Sequence, residues 1–94
     1  MQKRPLTGVR IIGVEQYMSE PYCTMVLADA GAEVIKIERP DGGDPRRSIP
    51  PFATDDRGGR VAAGFLGYNR NKKSVALDLR EESGRKVLRD LVEV

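Results

Sequence analysis

Arg39 stands directly behind the alternating segment Glu33-Val34-Ile35-Lys36-Ile37-Glu38 and ahead of Pro40 and the turn Gly42-Gly43-Asp44. A guanidinium suits a phosphate because it offers a planar fork of donors and never gives up its charge. In an open α/β sheet the ligand lies in the crevice beyond the carboxyl ends of the strands, which is where an arginine one residue past a strand is placed. The bland alternative is a solvated arginine pairing with Glu38 or Asp44. Further along, Asn69-Arg70-Asn71-Lys72-Lys73-Ser74 leads into Val75-Ala76-Leu77-Asp78-Leu79. The cations Arg70, Lys72 and Lys73 open a nucleic-acid reading. Single-strand binders combine charge with stacking rings, however, and only Tyr68 is near, so a solvated basic turn is the simpler account. Asp78 falls between Leu77 and Leu79 in a third alternating segment, which turns it away from them; its plain role is a turn or capping carboxylate.

Other chemistries are closed by composition. The chain has no His, which removes imidazole bases and imidazole metal ligands, and one Cys, which removes an internal disulfide and any Cys-x-x-Cys site. Cys23 falls with Val26, Leu27 and Ala30 on one helical face and reads as a small buried hydrophobe, not a nucleophile. No Gly-x-x-x-x-Gly-Lys-Ser/Thr and no Gly-x-Gly-x-x-Gly occurs, so Gly42-Gly43-Asp44 reads as a turn. A helix beginning at Ser19-Glu20-Pro21 presents a positive end to an anion, but Glu20 already puts a carboxylate there. Sixteen basic against fourteen acidic residues leave a net charge of +2, which selects no polyanionic partner. The longest apolar run, Met25-Val26-Leu27-Ala28, is far short of a membrane span, and no apolar segment follows Lys3 and Arg4 before Gly8 to make a signal peptide. A lone Cys without an export signal fits a reducing cytoplasm.

The elements that must position these residues follow from periodicity. Val9–Val14 reads as a buried strand, Glu15–Ser19 as a loop, and Ser19 or Glu20 as the cap of a helix that Gly31 stops. Glu33–Glu38 is a second strand, parallel to the first through a right-handed crossover. Residues 40–60 hold Pro40, Pro45, Pro50 and Pro51, with four glycines between Gly42 and Gly59. They read as a long irregular loop, of the kind that is functional or disordered in a compact domain. Val61–Tyr68 reads as a short helix and Ser74–Leu79 as a third strand. From Glu82 or Ser83 a last helix carries Val87, Leu88, Leu91 and Val92 on one stripe. The whole is a small α/β domain of 94 residues, and one of that size buries only about 60–65% of its unfolded surface.

Leu27-Ala28-Asp29-Ala30-Gly31-Ala32-Glu33-Val34-Ile35-Lys36-Ile37-Glu38-Arg39-Pro40, then Gly42-Gly43-Asp44, then Asn69-Arg70-Asn71-Lys72-Lys73-Ser74 in that order, resemble the opening of the class III CoA-transferases, the family of formyl-CoA transferase and the carnitine CoA-transferases. The resemblance runs from Leu6 to about Val92. It implies a Rossmann-like open parallel sheet that forms the N-terminal part of a larger domain, because members of the family are several times longer. It implies a CoA site with Tyr17, Met18 and Ser19 beside the CoA, Arg39 at the nucleotide phosphates, and Leu77, Asp78, Leu79 and Arg80 along the adenosine end. Arg80 takes the place of a family lysine, and Glu20 stands where a glycine is usual. The substrates implied are an acyl-CoA and a carboxylic acid, with no tightly bound cofactor and no metal. The family's nucleophile is an aspartate that attacks the donor thioester to give a mixed anhydride and free CoA thiolate. That aspartate is expected beyond Val94, so no catalytic residue is assigned here. The resemblance also implies a cytoplasmic homodimer for a full-length protein, with no nucleic acid or membrane as partner. Two other readings stand beside it: a non-catalytic CoA- or nucleotide-binding module, and, more remotely, a small basic nucleic-acid binder.

Overall fold

The computed structural model describes residues 3–93. β-Branched residues dominate Arg10–Val14 (β1) and Glu33–Glu38 (β2), and the two strands pair in parallel with Ile11 opposite Val34 and Val14 opposite Ile37. Between them runs the helix Ser19–Asp29 (α1), which Gly31 ends with a left-handed φ of 106°. The third strand, Lys72–Ala76 (β5), pairs with the other side of β2, giving a parallel sheet of order β1-β2-β5. The βαβ unit expected from the sequence is therefore present, and β2 is the central strand of the sheet.

Residues 40–60 are less irregular than their composition suggests. Pro45–Ser48 forms a 3₁₀ turn capped by the Asp44 carboxylate, and Phe52–Thr54 (β3) pairs antiparallel with Arg60–Ala62 (β4). These strands are three residues each and β3 is wholly exposed, so no alternation marks them. The hairpin is closed instead by Asp55, whose Oδ1 accepts from the backbone N–H of Arg57 and Gly59. The helix Ala63–Asn69 (α2) follows, and Glu82–Glu93 (α3) closes the described chain.

Two faces of the sheet follow from strand alternation. Val34 packs with Ala28 and Ala32 under α1, with Leu6, Ile11 and Leu27 around them. On the opposite face Leu91 and Val92 of α3 share a cleft with Arg10 and Ile12. On the helical stripe expected at the C-terminus only Leu88 and Leu91 are half-buried, while Val87 and Val92 are exposed.

Three expectations need correcting. Cys23 is exposed, not buried; α1 is apolar nearly all round, so its pattern does not single out a face, and the one that meets the sheet carries Pro21, Met25 and Ala28. Neither Ser19 nor Glu20 caps α1: Met18 occupies the cap position and makes no side-chain cap bond. The third strand ends at Ala76, not Leu79. Asp78 lies beyond it in a turn, where its carbonyl accepts the N–H of Glu81 and its carboxylate the N–H of Arg80.

Candidate functional site

The three parallel strands end together, and a cavity of about 970 Å³ opens there. Its walls come from three chain segments, each following a strand: the β1–α1 loop, the end of β2 with Arg39 to Asp41, and the turn after β5. Tyr17, Met18, Ser19, Arg39, Leu77, Asp78, Leu79 and Arg80, the residues singled out from the sequence, all line it. Tyr17 and Met18 are about half exposed at its rim.

The charges on this wall are unequally engaged. Arg39 is exposed and its Nε donates to the carbonyl of Gly43 at 2.9 Å. It makes no ion pair among the described residues, so the expected alternative of pairing with Glu38 or Asp44 does not hold. Arg47 takes Glu38 instead, through two bonds of 2.8 Å. The Arg39 guanidinium is thus aimed by the glycine turn and keeps its terminal nitrogens for something else. Arg80, by contrast, grips Asp78 at 3.0 and 3.1 Å. The pair holds the Asp78 carboxyl below the usual carboxylate range and raises the arginine further. Gly84 in α3 lies so close to the Asp78 carbonyl that a Cβ there would collide with it, which ties the start of α3 to the cavity wall.

Beneath the wall lies a set of charges that periodicity alone missed. Lys36, at the centre of β2, has a side chain only 1% exposed. Its ammonium is 2.8 Å from Asp44 Oδ2 and 3.6 Å from Glu15 Oε1. Lys72 was expected in a solvated basic turn. Its side chain is instead 2% exposed and spends all three donors inside the protein, on Glu15 at 2.8 Å, the Pro21 carbonyl at 2.9 Å and Asn69 at 3.0 Å. Burial pulls the Lys72 ammonium downward against the pull of Glu15. Glu38 is buried as well, and burial pushes its carboxyl up. Arg47, Ser74 and the Asp44 N–H outweigh that and bring it to about 2. Arg47 also lies over the Phe65 ring, 3.8 Å from its centroid. Lys36, Lys72 and Arg47 therefore face Glu15, Glu38 and Asp44, a set that balances in charge as buried charge requires, although the Lys36 ammonium and Asp44 Oδ2 meet as an ion pair without hydrogen-bond geometry. Arg70 and Lys73, the remaining cations of the basic run, are drawn off to Asp29 and Glu33. The three do not form a patch for a polyanion.

A signal for this network existed in the sequence. A central parallel strand is covered on both faces, so the lysine inside Val-Ile-Lys-Ile-Glu had to be buried and paired. Its partners, Glu15 and Asp44, lie in loops whose approach no local pattern announces. Among the described residues there is no cluster of metal-ligating side chains and no helix long and apolar enough to cross a membrane.

The chain is similar to known proteins in sequence and in fold. A succinyl-CoA:glutarate CoA-transferase of Mus musculus is 41% identical over 92 residues, which is 97% of this chain and 20% of that protein. A succinyl-CoA:mesaconate CoA-transferase of Haloarcula hispanica is 44% identical over 88 residues, 94% of this chain and 22% of that protein. The chain thus spans about a fifth of the length of the curated relatives it matches. A crystal structure of a CAIB/BAIF family protein from Brucella suis superposes with a TM-score of 0.88 at 40% identity, covering 97% of this chain and 24% of that one. A Mycobacterium tuberculosis protein superposes at 0.79 with 39% identity. The profile of one family matches residues 6–94, nearly everything described above from Leu6 of the core to the end of α3. On that match, and on relatives about 40% identical across the same residues, the chain belongs to CoA-transferase family III.

Proposed function

We propose that this chain supplies the CoA-binding wall of an enzyme that moves CoA between an acyl-CoA thioester and a carboxylic acid. The observation that carries the reading is the convergence of Tyr17–Ser19, Arg39 and Leu77–Arg80 on one strand-end cavity, with Arg39 free of any carboxylate among the described residues. In this reading Arg39 takes the nucleotide phosphates, which arrive with several negative charges and match its open donors. Leu77 and Leu79 give the adenosine an apolar surface, and Tyr17 and Met18 close over the CoA from the opposite side. Arg80 is held by Asp78, so it contributes to the phosphates only by exchanging that partner.

The names of the relatives pair succinyl-CoA with glutarate or mesaconate, which supports an acyl-CoA and a carboxylic acid as the substrate class here. The carboxylate nucleophile of the reaction is assigned to none of Glu15, Glu20, Glu38, Asp41 or Asp78, although all five line the cavity. The same reading carries a Rossmann-like sheet continued by further strands, a homodimer and a cytoplasmic setting.

The test is to add CoA to the isotope-labelled chain and follow its amide resonances, with acyl exchange assayed in parallel. Shifts confined to Tyr17–Ser19, Arg39–Asp41 and Leu77–Arg80, without acyl transfer above buffer, support the proposal. Shifts elsewhere, or none at millimolar CoA, contradict the site. Turnover by this chain alone would show that a nucleophile has been overlooked.

A further inference from the structure

The loop between β1 and α1 is held in a backbone form that its sequence does not favour. Tyr17 has a φ of 72°, in the left-handed region that a bulky side chain enters only at a cost. Such strain persists where the surroundings over-determine it. Here the decisive neighbour is one carboxylate. The side chain of Asp44 is fully buried, and its Oδ1 accepts the backbone N–H of Tyr17 at 3.2 Å and of Arg46 at 2.9 Å. Its Oδ2 faces Lys36 at 2.8 Å. Lys36 also faces Glu15, the residue that opens the loop. The Asp44 N–H donates to Glu38 Oε1 at 2.8 Å, the last residue of β2 before Arg39. Asp44 itself does not line the cavity. It joins two of the three walls from behind.

We propose that Asp44 is a positioning residue: with Lys36 as its counter-ion, it holds the Glu15–Ser19 loop with Tyr17 in the left-handed form, which sets Tyr17 and Met18 against the ligand. The proposal rests on the reading of the cavity as the CoA site. A purely structural role for the ion pair is the competing account, and the two separate on which part of Asp44 matters. If only charge balance counts, any neutral pair is equivalent. If the loop is positioned, the Oδ1 acceptor must survive.

Two double variants of the full 94-residue chain make the comparison. Lys36→Met with Asp44→Asn removes both charges and keeps an acceptor; Lys36→Met with Asp44→Ala removes both charges and the acceptor. Amide hydrogen exchange at Tyr17, referenced to Ile35 and Ile37 of β2, is read first because it needs no ligand. A net hydrogen bond corresponds to roughly a two- to twelvefold change, so the alanine pair should lose about tenfold in protection at Tyr17. The asparagine pair should stay within about threefold of the parent by the same measure, with β2 unchanged in both. CoA affinity should follow, about tenfold weaker for the alanine pair only. Equal protection of Tyr17 in the alanine pair and the parent overturns the proposal. So does loss of CoA affinity by Arg39→Ala alone while both double variants bind like the parent; that result would leave the CoA reading standing. A parent that binds no CoA removes that reading, and exchange at Tyr17 then decides whether Asp44 holds the loop.

Discussion

Replacing Lys36 alone by Met should be among the most damaging single changes in this chain. The substitution fits the volume of the side chain and removes only its charge. In the parent the ammonium is 1% exposed, 2.8 Å from Asp44 and 3.6 Å from Glu15. Glu15 keeps Lys72 and the Thr24 hydroxyl as partners, so it is not stranded. Asp44 is left as a buried anion with only two backbone N–H donors. Breaking a buried pair in this one-sided way costs about 3–5 kcal/mol. A domain has about 5–15 kcal/mol in all, and a chain this small lies near the low end. The variant should therefore be marginal at pH 7. Acidity gives the result a distinctive sign. In the parent, burial pushes the Asp44 carboxyl up, but Lys36 and the N–H groups of Arg46 and Tyr17 hold it below 3.8. That contribution is present above 3.8 and lost as pH falls below it. Without Lys36, burial loses its main opponent and the folded carboxyl moves upward, so the folded variant takes up a proton before the unfolded chain does. The gap between parent and variant should then narrow from pH 7 to pH 4.5. Urea unfolding followed by circular dichroism reads both quantities, and Asp44→Asn added to the variant should recover most of the loss. A gap under about 1 kcal/mol at pH 7, or one that widens on acidification, would refute the account of this pair.

Glu38 offers a second pH effect with the same sign. Its carboxyl is brought to about 2 from an ordinary 4.5, so its stabilisation is complete above 4.5 and drains away as pH falls toward 2. Glu38→Gln should be less stable at pH 7 and converge on the parent in acid, as unfolding midpoints across that range would show. Gly84→Ala drives a Cβ into the Asp78 carbonyl, which should cost about 1–3 kcal/mol as overpacking and lower the thermal midpoint. Gly67→Ala in α2 meets nothing within 4 Å and should raise the midpoint by adding about 0.5–1 kcal/mol of stability. A Gly84→Ala chain melting with the parent would mean that α3 is not seated on the turn.

The place of Arg39 was legible because it follows from where a strand ends, while Tyr17–Ser19 and Leu77–Arg80 were named only through the family resemblance. Val-Ile-Lys-Ile-Glu and the β-branched run at Ile11 and Ile12 mark two strands, and Gly31 marks the turn between them. Arg39 is therefore placed in a crevice by the sequence alone. What was not legible depends on sides and on distance. The α1 helix has apolar residues around most of its girth, so Cys23 and Val26 were placed inward when Met25 and Ala28 are the ones that meet the sheet. Leu77 and Leu79 continue the alternation of β5 but belong to the turn after it, where Asp78 caps its own neighbours. Lys72 sits in a run that reads as surface, yet it is buried because Glu15 and the Pro21 carbonyl come to it from more than fifty positions away. Hydrophobic period shows where strands run; it carries no sign of which charges will meet beneath them.

The central claim is that the strand-end cavity takes the phosphates of CoA on Arg39, and calorimetric titration of CoA into the parent chain and Arg39→Ala at two ionic strengths tests it most directly. A charge-assisted hydrogen bond contributes about 1.5–3 kcal/mol, which is roughly ten- to a hundredfold in affinity. The account predicts a loss of that size for Arg39→Ala, partial recovery by Arg39→Lys because the fork is gone, and a smaller difference at high salt. If Arg39→Ala binds CoA as tightly as the parent at both salt concentrations while melting at the same temperature, Arg39 is a surface arginine and the nucleotide does not lie at this strand end.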